Sequence, residues 1–277
     1  MTAINKVNVA FIFIFLVLIC LIVIYPLLYV VSAAFTPGIS IADMPLVPFG
    51  NGFTLDNFRS LFNDTNYLLW FRNTLQVAVF TSLGTLIIAS LGAYTFSRFK
   101  FAFKRGFMMS MLVFQVFPSF IGMIAIFVIL MRFGLLDTLW GLILVYLAGN
   151  IPFNTWLMKS YLDTIPKSMD EAARIDGASH LRIFLTIIMP MAKPILIFLL
   201  ITSFTGPWMD FVLPRVVLRS PANHTLAMGL FSFVTDRRND FTSFAAGSIL
   251  VAIPFVIFFV TTQKMLITSL GAGAVKE

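Results

Sequence analysis

Charge, cysteine and histidine are all scarce in this 277-residue chain. Asp, Glu, Lys and Arg make up only 11% of it. A soluble globular domain carries roughly 25%, because its outer face must meet water. An ordinary soluble enzyme is therefore excluded. Intrinsic disorder goes too, because it needs low hydrophobicity and high net charge, and 59% of these residues are hydrophobic. The single cysteine, Cys20, lies inside an apolar run and allows neither a disulfide framework nor a thiolate metal site. The two histidines, His180 and His224, are far apart and too few for a metal centre, so no metal site is expected. No Gly-x-x-x-x-Gly-Lys-[Ser/Thr] phosphate loop occurs, so the chain is not expected to hydrolyse ATP. Neither His-Glu-x-x-His nor Gly-x-Ser-x-Gly is present, which leaves an intramembrane hydrolase without its metal set or nucleophile. A non-enzymatic chain with no catalytic residues and no cofactor of its own is expected.

What is present is apolar sequence in long blocks. No charged residue lies between Lys6 and Asp43, and Val9–Ala34 within that gap is long enough to span a bilayer. It exceeds the h-region of a signal peptide, although Ser32-Ala33-Ala34 mimics a cleavage site, and an uncleaved first span is the reading. Further charge-free gaps run from Arg72 to Arg98, Arg105 to Arg132, Asp137 to Lys159, Lys193 to Asp210 and Asp240 to Lys264. The gap after Lys193 is short, so its helix is expected to begin earlier, near Ile183. The runs are continuous rather than alternating, which argues for helices and against a barrel. The expectation is an all-α, multi-pass membrane protein with six transmembrane helices, forming one transmembrane domain over residues 1–277.

The net charge of +7 would suggest nucleic acid in a soluble protein. In a membrane protein it reads instead as the Lys/Arg excess of cytoplasmic loops. With the N-terminus inside, 12 of the 19 basic residues fall on the cytoplasmic side, including the cluster Arg98, Lys100, Lys104 and Arg105. Both termini are expected in the cytoplasm. Phe35–Trp70 and Pro207–Asp240 then face outward as contact loops or solvated linkers.

The informative cytoplasmic stretch is Pro166 to Gly177, within a segment of about 164–182. Pro166 disfavours a helical Ile165. Ser168 followed by Glu171 has the spacing of a capping box. Gly177 can take the left-handed conformation that ends a helix. The pattern predicts about two turns over Met169–Asp176, with Met169, Ala172, Ala173 and Asp176 on one face. So short a helix is marginal alone. Two readings stand on spacing: a loop helix that packs on the ends of its spans, or an element shaped to dock on a partner.

Glu171-Ala172-Ala173, three residues, Gly177, nine residues, Ile187, one residue, Met189-Pro190 resembles the EAA signature of ABC importer permeases, with Met189 at the usual leucine. Asp176-Gly177-Ala178 is similar to the carbohydrate group of that family. So are Phe53-Thr54-Leu55-Asp56-Asn57-Phe58, Asn73-Thr74-Leu75, Ala93-Tyr94 ahead of Ser97-Arg98-Phe99, and Ile151-Pro152-Phe153-Asn154-Thr155-Trp156. The length and the tail Gly271–Lys276 resemble the smaller permeases of maltose/maltodextrin importers. The resemblance implies a type I ABC importer permease fold in the bacterial plasma (inner) membrane. It implies a second homologous permease and two copies of a cytoplasmic ATPase that holds ATP and Mg. An extracytoplasmic sugar-binding protein would deliver the carbohydrate. Carried onto this chain, it gives Glu171 an ion pair with the ATPase, Ala172 and Ala173 close packing beside Asp176, and Gly177 the turn. Ser269–Glu277 would run between the ATPases.

Inside the membrane no acidic residue lies deep in any span, and Lys193 is the one basic residue within a span. Proton- or sodium-coupled carriers usually need such groups, and many carriers are built from repeats that are not visible here. Both absences count against a self-contained secondary sugar carrier or channel, which is the competing reading. Gln115, Ser119, Asn154, Trp156 and Trp208 carry the amides, hydroxyl and aromatic faces that sugars bind, and equally serve as glue between helices. Pro118, Pro152 and Pro254 can kink spans or serve packing.

Overall fold

The computed structural model describes residues 6–45, 47–116, 119–235 and 240–274; within these, no side chain is described at 6, 7, 43, 119, 120, 259, 262 and 264–274. The described regular structure is helical, with no strand. In order it comprises α1 (Lys6–Phe35), α2 (Asp56–Asn63), α3 (Tyr67–Arg98), α4 (Lys104–Val116), α5 (Ser119–Arg132), α6 (Leu139–Leu162) and α7 (Ser168–Ile175). There follow α8 (His180–Ile183), a π-helical turn (Phe184–Ile188), α9 (Met189–Met191), α10 (Lys193–Met209), α11 (Val212–Val217), α12 (Leu226–Thr235) and α13 (Phe241–Ala274).

Among the described residues α1, α3, α6 and α13 contain segments long and apolar enough to cross a membrane singly, and two bent pairs bring the total to six if each counts as one span. The gap from Arg105 to Arg132 holds one of these pairs, with α4 and α5 inclined at 107°. Pro118, expected as a possible kink, lies outside the described residues. The second pair corrects the expectation of a helix running on from near Ile183: its two arms meet at 82° around Ala192. Pro194 has no N–H for the carbonyl four residues back, and its ring crowds that carbonyl; here the helix breaks and restarts at Lys193 with Pro194 in its first turn. Pro152 and Pro254 instead lie inside helices that continue through them.

The chain forms two compact units, Met1–Leu68 with Gly229–Ile253, and Leu69–Met228 with Pro254–Glu277. In the first, α1 is apolar on every side and exposed from Asn8 to Leu28, as a lipid-facing helix must be. Its far end is the reverse. Ala33 and Ala34 pack against Ala245 and Ala246 of α13, all fully buried, where small residues let backbones approach closely. Asn57 of α2 donates to the carbonyls of Ala34 and Thr36 (3.0 and 2.9 Å), covering acceptors at the end of α1.

Among the described residues, two apolar clusters lie in the second unit. One gathers Ala93 and Tyr94 of α3, Met158 and Leu162 of α6, Ile183, Ile188 and Leu199. The other gathers Val77, Leu130, Leu142, Leu213 and Val217. Beside the latter, the α5–α6 turn is tied to the segment after α11 by Asp137, a residue in the left-handed region (φ 58°). Its Oδ1 accepts from the N–H groups of Arg219 and Ser220 (2.9 and 3.0 Å), and its Oδ2 from the Ser220 hydroxyl. Asn223 donates to its backbone carbonyl at 2.6 Å. Desolvation pushes the Asp137 carboxyl up, but the hydrogen bonds from Ser220, Arg219 and Asn223 outweigh it and hold it well below the usual carboxylate range.

Candidate coupling site

Helix α6 ends at Leu162, and Ile165 drops into the first apolar cluster of the second unit. The chain turns helical again sooner than the capping box requires. Lys167 already has helical dihedrals (φ −66°, ψ −23°) and its carbonyl accepts from Glu171 N–H (3.1 Å), so Ser168 is the first residue inside α7 and forms no side-chain cap. This corrects the Ser168–Glu171 capping box: a serine with helical dihedrals cannot fold its hydroxyl back onto the third N–H, which requires an extended cap residue. At the other end the expectation holds. Gly177 takes φ 82°, its N–H reaches the Arg174 carbonyl (3.0 Å), and Ala178 N–H reaches that of Ala173 (2.9 Å). This pair of bonds is the Schellman closure. Ser179 then caps α8, accepting from Arg182 N–H (3.3 Å).

The motif residues divide between two faces. Met169, Glu171, Ala172, Asp176 and Gly177 are exposed. Ala173 turns inward and, with Ala178, packs against the cluster around Leu162 and Ile183. Ile187 and Met189, both partly buried, pack against the same cluster. The Glu171 and Asp176 carboxylates are on the open side of a helix that leaves Ile175 87% exposed.

Sequence reasoning missed Asp170, the acid immediately before the motif. It is buried against Arg98, the last residue of α3, with Nε 3.0 Å from Oδ2. Arg98 also donates to the carbonyls of Leu162 (3.2 Å) and Ile165 (3.1 Å). Next to it Ser97 donates to Asp163 Oδ1 (2.7 Å), and Lys159 pairs with the same carboxylate. Desolvation raises the Asp163 carboxyl, but the bonds from Lys159 and Ser97 and the charges of Lys159 and Lys104 bring it below its ordinary value. The one sequence signal was position: Arg98 closes a charge-free run and Asp170 adjoins the motif.

The pathway candidates scatter. Asn154 is buried in α6, its amide donating to the Asn150 carbonyl (2.7 Å), and its Oδ1 accepts no hydrogen bond among the described residues. Gln115, exposed on α4, donates to the Gly149 carbonyl (3.1 Å). Both amides therefore bond α6 carbonyls in the turn before Pro152. Gly149 and Asn150 border a largely apolar, partly open cavity of about 570 Å³ also lined by Met123, Leu213 and Tyr146, whose hydroxyl donates to Asp210 (2.8 Å). Trp208 is not on that wall. It is 1% exposed, between Phe71 (centroids 5.5 Å) and Phe204 (5.2 Å). Trp156 lines a separate cavity with Lys104, Arg105 and Lys159. The Ser119 side chain lies outside the described residues, as do residues 275–277 and the side chains of 269–274 in the expected tail. Among the described residues no cluster of three or more His, Cys, Asp or Glu could hold a metal ion.

This architecture has known counterparts. Residues 84–268 match the family model described as binding-protein-dependent transport system inner membrane component. The chain is 41% identical over 265 residues to the maltodextrin transport system permease protein MdxG of Bacillus subtilis, covering 95% of both proteins. It is 39% identical over 274 residues to the galactooligosaccharides transport system permease protein GanQ of the same organism, covering 98% of this chain and 96% of that one. Its fold superposes with a TM-score of 0.84 on a chain from the crystal structure of a bacterial ABC transporter that imports the acidic polysaccharide alginate, at 24% identity and covering 95% of this chain and 99% of that one. The chain belongs to the inner membrane components of binding-protein-dependent transport systems.

Proposed function

We propose that this chain is the translocating, non-catalytic permease subunit of an ATP-driven carbohydrate importer, with an oligosaccharide of the maltodextrin kind as its cargo. The relatives named for maltodextrin and galactooligosaccharide transport support a sugar chain as substrate. ATP and Mg belong to two copies of a partner ATPase in the cytoplasm. A second homologous permease completes the pore, and an extracytoplasmic binding protein hands over the sugar. N- and C-termini lie in the cytoplasm, which puts α7 on the ATPase side.

The observation that carries this reading is the form of α7. Its motif carboxylates Glu171 and Asp176 and the small Ala172 are exposed, while Ala173 faces the cluster beneath and the Gly177 closure ends the helix. Glu171 would pair with a basic group of the ATPase, and Ala172 would permit close approach. ATP binding draws the ATPases together, pulls α7 and tips the spans between two states, a ligand on one chain biasing a bistable element on another. Asn154, Gln115, Trp208 and Ser119 are the pathway candidates. Asn154 stands first because its buried Oδ1 is unused among the described residues; Trp208 would contribute through packing.

The test is Glu171→Lys in the complete importer. Membrane insertion should be unchanged, the ATPase should no longer co-purify, and uptake should vanish. Full uptake with a bound ATPase would reject the docking role. Uptake by this chain purified alone would favour the self-contained carrier.

A further inference from the structure

We propose that Arg98 and Asp170 are positioning residues that make α7 and the end of α3 move as one body, so that displacement of α7 is delivered to the α3 span. The proposal rests on the docking reading above and adds the route by which the movement leaves α7.

Asp170 and Glu171 are neighbours that point opposite ways, one buried against Arg98 and the other exposed. Any load taken at Glu171 is therefore one residue from the link to α3. The link is dry. The Arg98 and Asp170 side chains are 6% and 12% exposed, so the pair is little screened by salt or water. A single guanidinium gathers three parts of the chain: Nη1 reaches the Leu162 carbonyl at the end of α6, Nη2 reaches that of Ile165 in the connection, and Nε reaches Asp170 on α7. The planar fork of arginine suits this, and a lysine point charge does not.

The other packing of α7 is slight. Ala173 is the residue of its inner face that enters the apolar cluster, and a small side chain grips weakly. A buried ion pair is a poor source of net stability, since well-packed apolar residues often do as well. Its value here lies in registry between two elements. Among the described residues neither Asp170 oxygen accepts an aligned hydrogen bond, so Arg98 is its one ion-pair partner there and removing that partner leaves only the slight packing of Ala173 between α7 and the cluster shared with α3.

The experiment uses the assembled importer in vesicles, with uptake of radiolabelled maltotetraose and ATP hydrolysis measured together. Asp170→Asn keeps the shape and leaves Arg98 its carbonyl partners. The ATPase should still co-purify at the wild-type ratio, while sugar moved per ATP falls about tenfold, within the usual range of a coupling free energy. Asp170→Glu should recover part of it. A second variant guards against a folding defect. In a Cys20→Ser background, Arg98→Cys with Asp170→Cys should show the same uncoupling, be restored by a short bis(methanethiosulfonate) cross-linker that joins the two thiols through disulfides, and fail again when reductant cleaves those disulfides. Wild-type transport per ATP in Asp170→Asn, or no recovery on cross-linking, overturns the link. Glu171→Lys separates the two claims. If it loses the ATPase while Asp170→Asn stays coupled, only the link fails. If it keeps full uptake, docking fails and the link with it.

Discussion

Two polar clusters outside the spans of the second unit are built on opposite plans. Around Asp137, one carboxylate collects aligned hydrogen bonds from Arg219, Ser220 and Asn223, and the Arg219 guanidinium turns away over the Phe127 ring at 5.2 Å. Around Asp170, a carboxylate faces one guanidinium without an aligned bond. Many short directional bonds define a single geometry, and any displacement breaks several together. One ion pair between two helices holds them in register while both move. The Asp137 knot suits a fixed corner, and the Arg98–Asp170 pair suits a moving joint.

The comparison breaks most visibly at the α7 side. Gly177→Val places a β-branched residue at φ 82°, where a Cβ would meet nothing within 4 Å, so the cost is backbone strain alone, about 2 kcal/mol. We expect uptake to fall by at least tenfold, on the order of 1.4 kcal/mol of coupling, while the purified protein melts only a few degrees lower. Loss of folding without selective loss of uptake would erase the contrast. Asp137→Ala should do the reverse. Leaving the donors of Arg219, Ser220 and Asn223 without their carboxylate costs about 2 kcal/mol, which should lower Tm in detergent while sugar moved per ATP stays unchanged.

Much of this was legible because lipid imposes simple rules. Charge-free gaps marked the spans, and Gly177 marked the end of α7, since both follow from local composition. The bend at Ala192 was hidden because Pro190 and Pro194 sit in a run that hydropathy alone reads as one helix. The Ser168 cap failed because Lys167 had already entered the helix, a competition that spacing does not reveal. Arg98 with Asp170 and Asp137 with Ser220 are pairings between residues 72 and 83 positions apart in the chain. No periodicity encodes them; they arise when separate helices pack.

Acid sharpens the comparison further. The Asp137 and Asp163 carboxyls are both held below their ordinary values. Their contribution to stability is therefore complete above the unfolded carboxyl pKa, about 3.9, and is lost as pH falls through the lower folded values. The Tm difference between wild type and Asp137→Asn should be constant from neutral pH to about 5 and shrink below about 4. A difference that grows in acid would contradict the hydrogen-bond account. The smallest effect belongs to Ser179→Ala. It removes the α8 cap for about 1 kcal/mol and should shift Tm slightly without touching coupling.

The most direct measurement is a cross-link from the exposed face of α7. Ala172→Cys, in a Cys20→Ser background and labelled with a short photoreactive maleimide, should give one adduct between this chain and the ATPase in the assembled importer. The yield should change when ATP is bound. Normal uptake with no ATPase adduct, or an adduct only to lipid, would contradict docking through α7.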